Sequence, residues 1–123
     1  MNIEQLYEFC LNKKGVTEHF PFDEDTLVFK VGGKMFALSS LSTWEKGNPR
    51  INLKCNPEKA EELRANYEAI NPGFHMSKVH WNTVNFNEDV SDKLIRELIS
   101  ESYDLVFKSL TKKIQSEIIE ITK

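Results

Sequence analysis

The sequence predicts an α+β fold, an antiparallel sheet with helices packed on one of its faces. Three observations predict it. Gly32-Gly33 separates two β-rich runs, and a two-residue glycine link suits a tight hairpin because both positions take positive φ. Arg50-Ile51-Asn52-Leu53-Lys54 alternates strictly between polar and apolar, the mark of a strand with one wet face. A helical apolar period opens the chain and another closes it, with three strand-like runs in succession between the first helix and the next.

Residues 2–13 place Ile3, Leu6, Tyr7 and Cys10 on one helical face. Asn2 caps this helix, with Gln5 set for a capping box, and Gly15 can end it in the left-handed conformation. Residues 16–25 read as a connection, with Phe20 and Phe22 expected to tuck against the sheet and His19 as a surface or packing residue. The hairpin strands are residues 26–31 and 34–39. Residues 41–49 read as a polar loop carrying Trp44. After the strand at 50–54, Asn56 caps a helix whose first turn holds Pro57, where a missing N–H costs nothing. Ala60, Leu63 and Tyr67 line its core face, and Asn71-Pro72-Gly73 stops it.

Residues 74–79 read as an irregular approach to a strand at 81–86, followed by a turn at 87–89. Ser91 then caps a helical region in which Leu94, Ile95, Leu98, Ile99, Tyr103, Val106, Phe107 and Leu110 keep the period. No Gly or Pro follows Gly73, so the break falls to Ser100, Ser102, Ser109 or Thr111. The period runs on through Ile114 and Ile118, which makes 111–123 a helical tail on a single domain, 1–123.

A chain of 123 residues can bury one unstapled core. It has neither a basic leader with an apolar run nor a window long enough to span a membrane, so a cytoplasmic protein is expected. Cys10 and Cys55 fit no zinc or redox spacing and read as reduced thiols. The net charge of −3 weighs against a dedicated DNA binder, yet the charge is segregated along the chain. Between residues 28 and 56, Lys30, Lys34, Lys46, Arg50 and Lys54 stand against Glu45 alone. Between 88 and 104, six acids stand against Lys93 and Arg96.

Residues 71–84 concentrate the chemically able side chains, among them His75, Lys78, His80 and Trp81. The two histidines are an odd number apart, which on a strand sends them to opposite faces, and no cysteine or carboxylate cluster joins them, so no metal site is expected. Cys55 is expected near the end of a strand with no nearby basic helix terminus to activate it, and Gly32-Gly33 is too short for a phosphate loop. Neither catalytic residues nor a cofactor are expected. What remains is a surface: Lys30, Lys34, Arg50, Lys54, His75, Lys78, His80 and Trp81 on one face, where cations meet phosphate and an aromatic stacks on a base. The plainer reading has Trp81 anchoring the core and the lysines merely solvated.

The runs Pro21-Phe22-Asp23, residues 28–37, Ile51-Asn52-Leu53-Lys54-Cys55, residues 72–84 and Ser102-Tyr103-Asp104-Leu105-Val106 resemble the MmcQ/YjbR family of small bacterial proteins. The resemblance covers residues 1–113, and His75-Met76-Ser77-Lys78-Val79-His80-Trp81-Asn82-Thr83 is its most specific part. It implies a CyaY-like (frataxin-like) α+β fold and a cytoplasmic, mostly monomeric protein. It also implies DNA binding through a double wing of strands and loops, and brings neither an enzymatic activity nor a cofactor. Frataxin's iron does not carry over, since residues 2–14 hold only Glu4 and Glu8. Thr111 stands where the family usually has proline, which leaves the end of the last helix open. Two functions follow: a DNA-binding protein using the cationic face, or a domain binding a small anionic ligand or a protein, with no nucleic-acid role.

Overall fold

The computed structural model describes residues 1–74 and 76–121. The elements are α1 (Ile3–Leu11), β1 (Val16–His19), β2 (Thr26–Val31), β3 (Lys34–Ser40), α2 (Leu41–Glu45), β4 (Arg50–Lys54), α3 (Pro57–Asn66), β5 (Ile70–Pro72), β6 (Trp81–Asn85), α4 (Asp92–Ser109) and α5 (Lys112–Ile121). The six strands form one sheet in the order β1-β2-β3-β4-β6-β5, antiparallel throughout. The helices cover one face, where Leu27, Phe29, Val31, Phe36, Ile51, Leu53 and Val84 meet Leu6, Cys10, Ile95, Ile99 and Val106 in a continuous core. Phe36 packs edge-on against Tyr103 of α4 at 5.4 Å, a favoured aromatic geometry. None of the described helices is long and apolar enough to cross a membrane.

Local signals form as the sequence dictates. Asn2 and Gln5 close the capping box on α1, and Gly15 (φ 72°) turns the chain out of it. Gly32 and Gly33 both take positive φ, 58° and 81°, which closes the β2–β3 hairpin. Asn56 and Ser91 cap α3 and α4 through their side-chain oxygens.

The centre of the sheet is irregular. Phe29 pairs with Ala37 but Lys30 pairs with Met35, so Phe36 is the extra residue of a β-bulge, and both Phe36 and Ala37 are buried in the core. The bulge cuts the β3–β4 ladder to two pairs, Ala37↔Leu53 and Leu38↔Asn52. Two serines complete it. At one end Ser102 of α4, fully buried, donates to the Phe36 carbonyl (2.6 Å) and accepts from the Lys54 N–H (2.9 Å). At the other end Ser39 donates to the Arg50 carbonyl (2.7 Å) and accepts from the Trp44 indole (2.8 Å). Buried main-chain groups must be paired, and here side-chain hydroxyls stand in for the missing rungs.

Four expectations are corrected. Residues 16–19 are an edge strand rather than a connection, because Val16-Thr17-Glu18-His19 finds its backbone partners on β2. Phe20 and Phe22 are 46% and 63% exposed, so neither tucks against the sheet. The polar loop at 41–49 holds the short helix α2, whose Trp44 lies against Phe86 at 4.7 Å. Helix α3 ends at Asn66, and Ile70–Pro72 adds a short strand to the sheet.

The last helical region breaks between Ser109 and Lys112, where Thr111 accepts from the Ile114 N–H and starts α5. Helix α5 folds back over the two glycine turns. A Cβ on Gly32 would come within 2.6 Å of Leu110, and one on Gly15 within 2.8 Å of Ile118.

Candidate functional site

The face of the sheet opposite the helices is open, and strand register fixes what it presents. In its middle row His19, Val28, Leu38, Asn52, Thr83 and Asn71 face one another across all six strands. One row along lie Thr17, Lys30 and Met35, with Lys54 and Trp81 beyond the bulge. The row on the other side holds Thr26 with Ser40, and Arg50 with Asn85. Residues alternate faces along a strand, so these positions share a side while Leu27, Phe29, Ile51, Leu53 and Val84 point into the core.

A small second core holds this face together. Val28, Leu38 and Trp81 are buried there, with Met35 and Met76 packed on them. Met76 belongs to the connection from Gly73 to His80, which crosses over the open face. Gly73 donates to the Trp81 carbonyl (2.8 Å), and Trp81 donates to that of Ser77 (3.0 Å). The Lys78 ammonium donates to the Gly73 carbonyl (3.1 Å), so it helps to close the loop. Phe74 donates its N–H to the Thr83 hydroxyl (3.0 Å), which in turn donates to the Asn52 side chain. A Cβ on Gly73 would stand 2.8 Å from that of Trp81, so the loop approaches the strand too closely for a larger residue.

Between this loop and the Phe22 segment lies a groove of about 410 Å³. Arg50, Asn52, Thr83, Phe74, Met76 and Phe22 line it. The Arg50 guanidinium stands 5.6 Å from the centre of the Phe74 ring, within cation–π range. Phe22 and Phe74 are 63% and 56% exposed at the groove's edges. Asp23 also lines it, but its carboxylate is engaged by the N–H groups of Thr26 (2.6 Å) and Asp25 (2.9 Å). These bonds hold it below the usual carboxylate range.

The predicted surface residues thus divide. Lys30, Arg50 and Lys54 share the open face, and none has an ion-pair partner among the described residues. Trp81 lies on that face too, but it is 8% exposed and forms its floor rather than a contact. Lys78 and His80 are exposed on the crossing loop. Lys34 does not join them. It pairs with Val31, a core position, and its ammonium lies 3.4 Å from Ser109 on α4, on the helix side. His75 lies outside the described residues. Among the described residues no three His, Cys, Asp or Glu side chains gather as a metal-binding group.

Sequence reasoning missed Thr17 and His19, hydrogen-bonded to each other at 2.7 Å on the open face, because β1 went unrecognised. It also missed the groove. The alternation of β4 exposed Asn52, but nothing local shows that Phe22 and Phe74 converge on it.

Comparison with known proteins gives a consistent picture. The family model described as YjbR matches residues 11–105. The Escherichia coli O157:H7 protein named "Uncharacterized protein YbdF" is 42% identical over 99 residues, 80% of this chain and 79% of that one. "Uncharacterized protein YjbR" of Escherichia coli K12 is 27% identical over 121 residues, 98% of this chain and 100% of that one. Among solved structures, a Deinococcus radiodurans protein with a DUF419 domain superposes with a TM-score of 0.87 at 38% identity, covering 95% of this chain and 87% of that one. A Pseudomonas syringae protein does so with a TM-score of 0.72 at 27% identity, covering 86% and 99%. With its open-faced antiparallel sheet and a family match over most of its length, the chain belongs to the YjbR family.

Proposed function

We propose that the open sheet face binds nucleic acid. The observation that carries the reading is the placement of Lys30, Arg50 and Lys54 on one helix-free face, unpaired with carboxylates among the described residues. Lys30 and Lys54 stand two strands apart, roughly 10 Å, and Arg50 and Lys54 four residues apart, roughly 13 Å. Their long side chains span those gaps and can meet separate phosphates. Lys78 adds an ammonium and His80 an imidazole at the rim, and exposed Phe22 and Phe74 offer rings for base contact. Acids of the net −3 chain, such as Glu58, Glu61, Glu97 and Glu101, sit on α3 and α4 behind the sheet. The fields of the two sides therefore differ although the sum is negative. No step of this reading requires catalysis or a cofactor.

Fluorescence anisotropy of a labelled DNA duplex at low salt tests it. Lys30→Ala/Lys54→Ala should weaken binding roughly tenfold, uniformly across sequences. Lys34→Ala, on the helix side, should leave it unchanged. Absence of binding by the wild-type chain, or equal losses in both variants, would contradict the reading.

The groove beside Arg50 favours a second reading, a small anionic ligand held by the guanidinium with Asn52 and Thr83 as polar neighbours. Arg50→Ala should then abolish binding, whereas Lys30→Ala/Lys54→Ala should spare it.

A further inference from the structure

On the opposite side of the sheet, between α3 and α4, lies a second cavity of about 240 Å³. Its walls are Leu53, Leu63, Val84, Leu98 and Leu105, and Asn82 lines it with them. Asn82 is unusual there. It pairs with Leu53 of β4 on one side and Pro72 of β5 on the other, faces the helices and is 2% exposed, and the next residue of β6 on that face is Val84. Its amide nitrogen reaches the Ala60 carbonyl (3.4 Å), which fixes the orientation of the group. Its side-chain oxygen is buried and accepts no hydrogen bond. A buried acceptor left unpaired is costly, and one in a native interior calls for an explanation.

The rim is polar and balanced. Lys59 and Glu101 pair across the mouth, and Asp104 and Lys108 add one charge of each sign. Neither sign of ligand is favoured, while the walls favour an apolar body. Volume sets the size: an apolar cavity of roughly 150 Å³ holds benzene. A space of 240 Å³ suits a molecule of about ten heavy atoms.

We propose that this cavity binds a small neutral aromatic or alicyclic molecule carrying one hydrogen-bond donor, and that a small shift of the Asn82 amide turns its side-chain oxygen, fully shielded in this structure, toward that donor. The site is separate from the cationic face, and the ligand is recognised by shape and a single donor.

The test uses indole, which carries one N–H, and indene, which has nearly the same bicyclic outline without a donor. Each is titrated into ¹⁵N-labelled full-length protein and followed by NMR. Indole should shift the Asn82 side-chain amide and the backbone signals of Leu63, Leu98 and Leu105 saturably. Indene should bind about fivefold more weakly, the loss of one hydrogen bond. Leu105→Trp, at a residue 38% exposed at the mouth, fills the cavity without disturbing the core and should abolish both sets of shifts. No saturable shift with indole, shifts confined to the open sheet face, equal affinity for the two compounds, or binding that survives Leu105→Trp would each overturn the proposal.

Discussion

Asn82 shows how much one side chain can say. Its position on β6 calls for an apolar residue, and the amide supplies one weak bond and one orphan acceptor. Replacing it with valine removes the unpaired group and should raise stability by about 1 kcal/mol, read from chemical denaturation. A loss of stability would show that the amide is structurally required. Asp89 works the other way. Its carboxylate accepts from the N–H groups of Ala69 (2.9 Å) and Glu68 (2.8 Å), which holds it below the usual carboxylate range. Asp23 and Asp25 are lowered similarly by hydrogen bonds. A group whose folded pKa lies below its unfolded value contributes stability above the unfolded value, and that contribution disappears as pH falls through the folded one. The protein should therefore lose stability below about pH 4. Asp89→Asn should lower stability at neutral pH and flatten that acid limb in melting curves taken across pH. An unchanged limb would assign the acid sensitivity elsewhere.

At the scale of elements, the weak seam of the sheet is the β3–β4 junction. Its bulge buries Phe36 but leaves a two-pair ladder that Ser102 and Ser39 must complete. Ser102→Ala leaves the Phe36 carbonyl and the Lys54 N–H without that partner at a buried position, and should cost about 1–3 kcal/mol. Amide hydrogen exchange at Lys54 should accelerate more than at Val28, whose ladder is intact. Uniform acceleration would mean that the serine supports the whole fold rather than the seam. Leu110, at the end of α4, and Ile114 of α5 cover the hairpin turn from outside. Gly32→Ala would place a methyl against Leu110 in a left-handed backbone, and should destabilise by about 1 kcal/mol or more. Gly33→Ala, also at positive φ (81°) but with open space around it, should cost less. Equal losses would show that backbone strain alone matters at this turn.

Across the whole molecule, what could be read in the sequence was what is local. The capping box at Asn2 and Gln5, the Gly32-Gly33 hairpin, the alternation of β4 and the cap at Asn56 all follow from neighbours a few residues apart. The helical tail was legible from Ile114 and Ile118 in the same way, although Thr111 marked its start less plainly than proline would. What needed tertiary pairing was not legible. Val16-Thr17-Glu18-His19 has no apolar stripe, and becomes a strand because β2 has an edge to offer. The cationic face was half legible: Arg50 and Lys54 follow from alternation, whereas Lys34 was placed on the wrong side. Its hairpin register with Val31 sends it toward α4. The groove and the cavity depend on loops and helices meeting across long sequence separations, which no short window reveals.

In the proposed reading, Lys30, Arg50, Lys54 and Lys78 meet phosphates on the open face. The slope of log affinity against log salt for a DNA duplex reads those contacts, in wild type and in Lys30→Ala/Lys54→Ala. Four phosphate contacts predict a wild-type slope of about −3.6, and loss of two predicts about −1.8 in the variant. A flat wild-type slope, or a variant slope equal to that of wild type, would contradict the account.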